Sequence, residues 1–291
     1  MRLINTLRKH KVPYLFILPF FILFSIFQLY PIVWTVWVSL TKWNGIKQPV
    51  FIGLNNYNLL LNDYMFTDAF FNTVVYWVTG VIFIIILSLG IASLLNYNNL
   101  KGKGFFKVVT FLPNVSAAIA IGIIFSMLFD KNIGIINEVI SLFGINKIGW
   151  LTTVKYSKIP VIILNIWRNT PWFTLIILSG LLNIPEEYYE AARIDGANKI
   201  QQFFKITLPN LTDILFFCFI ILTVNSWKIF NESYILKGPS TSNMSLFQYM
   251  YQSGFTAFKM GYASAIGVVL IIILAIVSVV QFILMRKNSE I

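Results

Sequence analysis

Tyr14-Leu-Phe-Ile-Leu-Pro-Phe-Phe-Ile-Leu-Phe-Ser-Ile-Phe-Gln-Leu-Tyr-Pro-Ile-Val-Trp-Thr-Val-Trp-Val-Ser-Leu40 is a run of 27 residues without an Asp, Glu, Lys or Arg. About 20 helical residues suffice to cross the hydrocarbon core of a bilayer, so this stretch is long enough to span one. A second charge-free run, Val108 to Phe129, holds 22 residues. Working outward, charge-poor apolar segments recur six times, near 13–38, 70–95, 106–129, 158–182, 210–230 and 263–285. The predicted fold class is therefore all-α: a polytopic membrane protein with six transmembrane helices, arranged as a single membrane domain over residues 1–291, with both termini on one side.

Composition agrees. Charged residues make up 11% of the chain, against about 25% in soluble domains, while 57% are hydrophobic. The net charge of +11 does not point to nucleic acid, because the basic residues fall between apolar runs and not on one soluble face. One cysteine (Cys218) and one histidine (His10) exclude an intrachain disulfide and any two-histidine metal motif, so no metal site and no cofactor are expected in this chain. Arg2, Arg8, Lys9, His10 and Lys11 ahead of the first run resemble the start of a signal peptide. The run is too long for that, and no small-x-small cleavage pattern follows, so it reads as a retained span.

Orientation follows from Lys and Arg. The termini and the loops near 96–108 and 182–209 hold 12 in about 60 residues; the opposite loops hold 9 in about 95. The excess places termini and those loops in the cytoplasm. Aromatic residues of the outer loops, Trp43, Trp150, Tyr57 and Tyr64, are expected to anchor at the headgroup level.

The loop Asn183-Ile-Pro-Glu-Glu-Tyr-Tyr-Glu-Ala-Ala-Arg-Ile-Asp-Gly-Ala-Asn-Lys-Ile-Gln-Gln-Phe-Phe-Lys-Ile-Thr-Leu-Pro209 reads as two short helices with a hinge. Asn183 is an N-cap candidate, Pro185 suits a first turn, and Glu186 and Glu187 complement the positive helix end. Gly196 permits the conformation that ends the helix. A second amphipathic stretch, apolar at Ile200, Phe203, Phe204 and Ile206, runs to Pro209. By composition alone this is equally an amphipathic hairpin lying on lipid. The order of residues separates the two readings: Glu190-Ala191-Ala192, Asp195-Gly196-Ala197, Gln201, Phe203, Ile206 and Pro209 resemble the EAA signature of permease subunits in binding-protein-dependent ABC importers.

The resemblance covers almost the whole chain. Leu40-Thr-Lys-Trp-Asn-Gly45, Gly53-Leu-Asn-Asn-Tyr57, Asn72-Thr73, Phe111-Leu-Pro113, Gly180 to Pro185 and Gly261-Tyr-Ala-Ser-Ala265 look like the carbohydrate-uptake branch, in its maltose MalF-like or glycerol-phosphate UgpA-like half. Lys237-Gly-Pro-Ser-Thr241 departs from the glycine-rich stretch usual there. The resemblance implies a type I importer permease fold in a bacterial plasma membrane, working with a second homologous permease, two ABC ATPase subunits that bind ATP and Mg, and an extracellular solute-binding protein. It also implies that Glu190, Ala191, Ala192, Asp195, Gly196 and Pro209 couple to the ATPase. The chain itself has no G-x-x-x-x-G-K-[ST] loop, so it is not expected to be an enzyme.

Polar groups inside spans face an interior or a cavity. Asn165, Arg168, Asn169 and Trp172 stand at i, i+3, i+4 and i+7, on one helical face. Asn225, Ser226 and Asn231, with Trp227, form a second cluster. Amides, hydroxyls and aromatic faces are what a sugar needs, which marks Asn165, Arg168, Asn169, Trp172, Asn225 and Ser226 as the substrate path; the alternative is that the asparagines cross-link packed helices and Arg168 snorkels outward. Glycerol 3-phosphate or a phosphodiester is the second choice of solute. An ion-coupled secondary transporter is the competing class, weakened because every acidic residue is assignable to a loop or span end.

Overall fold

The computed structural model describes residues 11–97 and 101–289, so Arg2, Arg8, Lys9 and His10 lie outside the described residues, as do Asn98 to Leu100 of the expected turn. The only strands described are the two-residue pair Thr41–Lys42 and Val50–Phe51. Among the described residues, five helices are long and apolar enough to cross a membrane: Tyr14–Ser39, Tyr64–Asn96, Lys158–Leu182, Thr212–Ile235 and Met260–Met285.

The third expected span departs from a simple crossing. It consists of two helices, Lys103–Val115 and Ala118–Leu128, bent by 93° at Ser116 and Ala117. Neither half, at 1.5 Å per residue, covers more than about 20 Å. The break has a local cause. Pro113 offers no N–H to the preceding turn, Ser116 and Ala117 are extended (ψ 142° and 122°), and the Ser116 hydroxyl donates to the Leu112 carbonyl that the broken helix leaves free. Counted as one broken span, the pair makes six.

Proline acts more mildly in the first span. Pro19 is accommodated within Lys11–Phe24, and a π-turn, Ser25–Leu29, precedes Pro31, with the Tyr30 N–H reaching back to the Ser25 carbonyl.

The chain forms two compact units: one takes the chain up to Asp63 with Met250–Ile272, the other Tyr64–Tyr249 with the chain from Ile273. In the first, the Asn56 amide donates to the Ser39 and Thr41 carbonyls, and the Tyr57 hydroxyl meets Ser39, fixing the turn beyond the first span. In the second, Tyr64–Asn96 buries one face, with Ala69, Thr73, Tyr76, Gly80, Ile84, Ser88, Ala92 and Leu95 at helical spacing. Its C-terminal half packs on Phe173, Ile177, Leu178 and Leu181 of the fourth span and on Leu211, Cys218 and Leu222 at and within the fifth. Where the fourth and fifth spans meet, a Cβ on Gly180 would overlap Ile214 Cδ1 and lie 2.9 Å from Leu211 Cδ2. Gly180→Val should therefore overpack the junction by about 1–3 kcal/mol, seen as a lowered thermal midpoint of the detergent-solubilised protein.

At the other end of this unit, the segment from Leu236 to Leu246 is tied to the spans by side chains. Asn72 donates to the Thr241 and Met244 carbonyls (2.7 and 3.0 Å), the Thr73 hydroxyl accepts the Leu246 N–H, and the Tyr76 hydroxyl donates to the Asn243 carbonyl. Asn243 in turn donates to Ser157 and Leu236. Within this segment Ser240 takes a positive φ of 50°.

Candidate functional site

The fourth span carries two charges, Lys158 at its first residue and Arg168 within it, and its polar residues Asn165, Arg168 and Asn169 face the C-terminal part of Thr212–Ile235. Asn165, Arg168, Asn169, Asn225 and Ser226 line one cavity of about 210 Å³, together with Ile84, Leu222, Lys228, Ile229, Asn231 and Glu232. Five of the six predicted path residues are thus brought together. Trp172 is not: it lies a further turn beyond Arg168, exposed, and does not border the cavity. Trp227 is also turned away, buried against Phe70 and Trp77.

The wall is ordered by short-range bonds. Asn169 Nδ2 donates to the backbone and side-chain oxygens of Asn165, at 2.8 and 2.9 Å. Gly80 makes room for this amide, because a Cβ there would fall 3.0 Å from Asn165 Nδ2 and 3.5 Å from Ser226 Oγ. Among the described residues, the side-chain amides of Asn225 and Asn231 and the ammonium of Lys228 have no hydrogen-bonding partner within the chain.

Arg168 does not snorkel. Its Nη1 donates to Glu232 Oε1 at 2.8 Å, with side-chain exposures of 27% for Arg168 and 7% for Glu232. Glu232 belongs to the short helix Asn231–Ile235 that continues the fifth span. Sequence reasoning passed over it because a single acid near a span end looks like loop chemistry; its signal was the unbalanced Arg168 one span away. The expectation that acidic residues stay at loops and span ends is corrected to this extent: Glu232 is at an end in sequence, yet buried in the cavity wall.

The expected coupling elbow has the two predicted helices, Glu186–Ile194 and one beginning at Lys199. Gly196 has φ 77°, its N–H bonds the Arg193 carbonyl, and the Ala197 N–H bonds the Ala192 carbonyl at 2.8 Å. This paired closure is a Schellman motif. Asn198 and Gln201 form a capping box that starts the next helix at once. Two details differ from the sequence reading. Asn183 caps the end of the fourth span, and Pro185 occupies the N-cap position instead. The second helix does not stop before Pro209 but runs through it to Asn210: a π-turn, Phe203–Thr207, absorbs the missing proline N–H.

Glu190, Ala191, Asp195, Gly196 and Pro209 are exposed and Ala192 half-buried, so the elbow presents them outward. Glu190 makes only a long 3.9 Å approach to Arg193. The Tyr189 hydroxyl bonds Thr207 Oγ1 at 2.9 Å, closing the elbow on itself, and Lys199 lies over the Tyr97 ring just past the end of Tyr64–Asn96.

Comparison with known proteins adds four findings. Residues 84–290 match the family described as "Binding-protein-dependent transport system inner membrane component". The chain is 34% identical over 277 residues to the arabinooligosaccharides transport system permease protein AraP of Bacillus subtilis (strain 168), covering 94% of this chain and 88% of the relative. It is 34% identical over 283 residues to the lactose transport system permease protein LacF of Rhizobium radiobacter, covering 95% and 94%. A crystal structure of a bacterial alginate ABC transporter in complex with an alginate pentasaccharide-bound periplasmic protein contains a chain with the same fold, at TM-score 0.81 and 21% identity over 100% of this chain and 99% of that one. With the permease fold and the extent of these matches in hand, the chain belongs to the binding-protein-dependent transport system inner membrane component family.

Proposed function

We propose that this chain is one permease half of an ATP-driven importer for a sugar, in particular an oligosaccharide, and that the cavity around Asn165, Asn169 and Asn225 is part of its path. The observation that carries the reading is an amide-rich cavity inside the membrane-crossing unit whose deep cation is neutralised by Glu232. A neutral polyol is bound by such groups, whereas a phosphate calls for several unpaired cations; here Lys228 alone remains at the rim. Relatives named for arabinooligosaccharide and lactose transport support a sugar. Membership of a binding-protein-dependent family speaks against an ion-coupled carrier.

In this proposal a second homologous permease completes the path, two ATPase subunits bind ATP and Mg and hydrolyse ATP, and an extracellular binding protein delivers the solute. The elbow at about 183–209 faces the cytoplasm, as do both termini. Glu190 gives a charge-assisted contact to a basic group on the ATPase, Ala191 and Ala192 permit close seating, and Asp195, Gly196 and Pro209 set the elbow's shape.

The complete transporter in proteoliposomes tests it. Asn169→Leu combined with Asn225→Leu should lower sugar uptake at least tenfold while the ATPase subunits still co-purify. Unchanged uptake would remove these residues from the path.

A further inference from the structure

Most exposed apolar side chains of this protein lie on membrane-crossing helices, where lipid accounts for them. One group does not. Between the broken third segment, which ends at Leu128, and the fourth span, which begins at Lys158, a short helix Ile135–Ser141 carries Ile135, Val139 and Leu142 at i, i+4 and i+7, all exposed. Ile133, Phe143 and Ile145 flank the helix and are exposed too; Leu142, Phe143 and Ile133 are 83%, 78% and 74% exposed. A contiguous apolar surface outside the spans marks an interaction site.

The stripe is held in place by its opposite side. Asn137 is fully buried; its amide donates to the carbonyls of Asp130, Lys131 and Ile148, and its oxygen accepts the Ile148 N–H and the Trp150 indole N–H. The Asp130 carboxylate accepts the N–H groups of Ile133 and Asn132, which hold its pKa below the usual carboxylate range and fix the turn into the helix. With the polar side engaged in these bonds, the helix has one orientation, and Ile135, Val139 and Leu142 point away from the protein.

Three observations select the occupant. The first is reach: six residues separate Leu128 from Ile135, at most about 25 Å of chain, so the helix stays near the end of an apolar segment of the broken span. The second is charge. Glu138, the acid on this helix, is engaged by Lys147 Nζ at 2.5 Å, and Lys131 stands exposed in the turn that leads into the helix. A neutralised acid within a cationic rim suits lipid phosphates. The third is side-chain type: bulky Leu, Ile and Phe on one face with Lys on the flank is the pattern of a helix lying in the headgroup region.

We propose that Ile135–Ser141 with Leu142 and Phe143 is an in-plane membrane anchor, seated in the acyl-headgroup boundary of the leaflet it adjoins. It is a lipid-binding surface separate from the spans, and it holds the outer ends of the third and fourth segments at a fixed depth.

The test uses the full chain in its assembled transporter, in nanodiscs of phosphatidylethanolamine and phosphatidylglycerol. A bimane fluorophore is placed on single cysteines, Leu142→Cys, Phe143→Cys, Ser141→Cys or Asn146→Cys, with buried Cys218 left in place. Quenching by doxyl-labelled lipid should exceed quenching by aqueous iodide at least threefold at 142 and 143, and the order should reverse at 141 and 146. Dominant iodide quenching at 142 and 143 would place the stripe in water and overturn the proposal. Protection from both quenchers would mean that a protein subunit covers it, which overturns the proposal equally.

Discussion

Gly196→Pro is expected to abolish sugar uptake and the stimulation of ATP hydrolysis by the loaded binding protein, with the permease still inserted in the membrane. Proline holds φ near −65°, whereas Gly196 sits at 77°, and the substitution deletes the N–H that closes on the Arg193 carbonyl. The Schellman closure cannot form, and Asn198 no longer meets Gln201 in register to start the next helix. The helix carrying Glu190 would then leave the elbow in another direction. Gly196→Ala keeps the N–H and should cost only about 1–2 kcal/mol of left-handed strain, giving partial uptake. Glu190→Ala leaves the backbone intact and should lower coupling through loss of one charged contact. Stimulated hydrolysis and uptake measured together in proteoliposomes decide the matter: full activity of both Gly196→Pro and Glu190→Ala would end the coupling role assigned to this elbow.

Removal of the Glu232 carboxylate should have the second largest effect. Deleting one partner of a sealed ion pair costs about 3–5 kcal/mol; Arg168 keeps 27% exposure, so about 1–3 kcal/mol is expected for Glu232→Ala. The signature of the pair is rescue. Arg168→Leu with Glu232→Leu removes both charges from the wall, and its thermal midpoint should return most of the way to that of the parent. If the double variant is no more stable than Glu232→Ala, the ion pair is not what Glu232 contributes.

Much of this architecture was written in periodicity. The uncharged run Tyr14 to Leu40 became the helix Tyr14–Ser39, and the i, i+3, i+4 spacing of Asn165, Arg168 and Asn169 delivered three side chains to one cavity. Gly196 was legible because few residues besides glycine accept its conformation. What escaped has a common cause, in that it depends on partners distant in sequence or on neighbouring backbone geometry. Glu232 is one unremarkable acid until the fold sets Arg168 beside it, 64 residues away. The bend at Ser116 is invisible to hydropathy, since an uncharged run has the same average whether straight or folded by 93°. Trp172 shares a face with Arg168 but lies past the cavity, because a helical wheel records angle and discards height.

The side-chain ties around Leu236 to Leu246 bear on the order in which the protein is made. Asn72 emerges from the ribosome early, yet its acceptors at Thr241 and Met244 follow 169 and 172 residues later. Throughout most of translation the second helix therefore resides in the bilayer with its amide unemployed, and this corner of the molecule matures only when nearly the whole chain has been synthesised. Biogenesis ends, on this view, with a fastening step made by the last fifth of the polypeptide upon the first third.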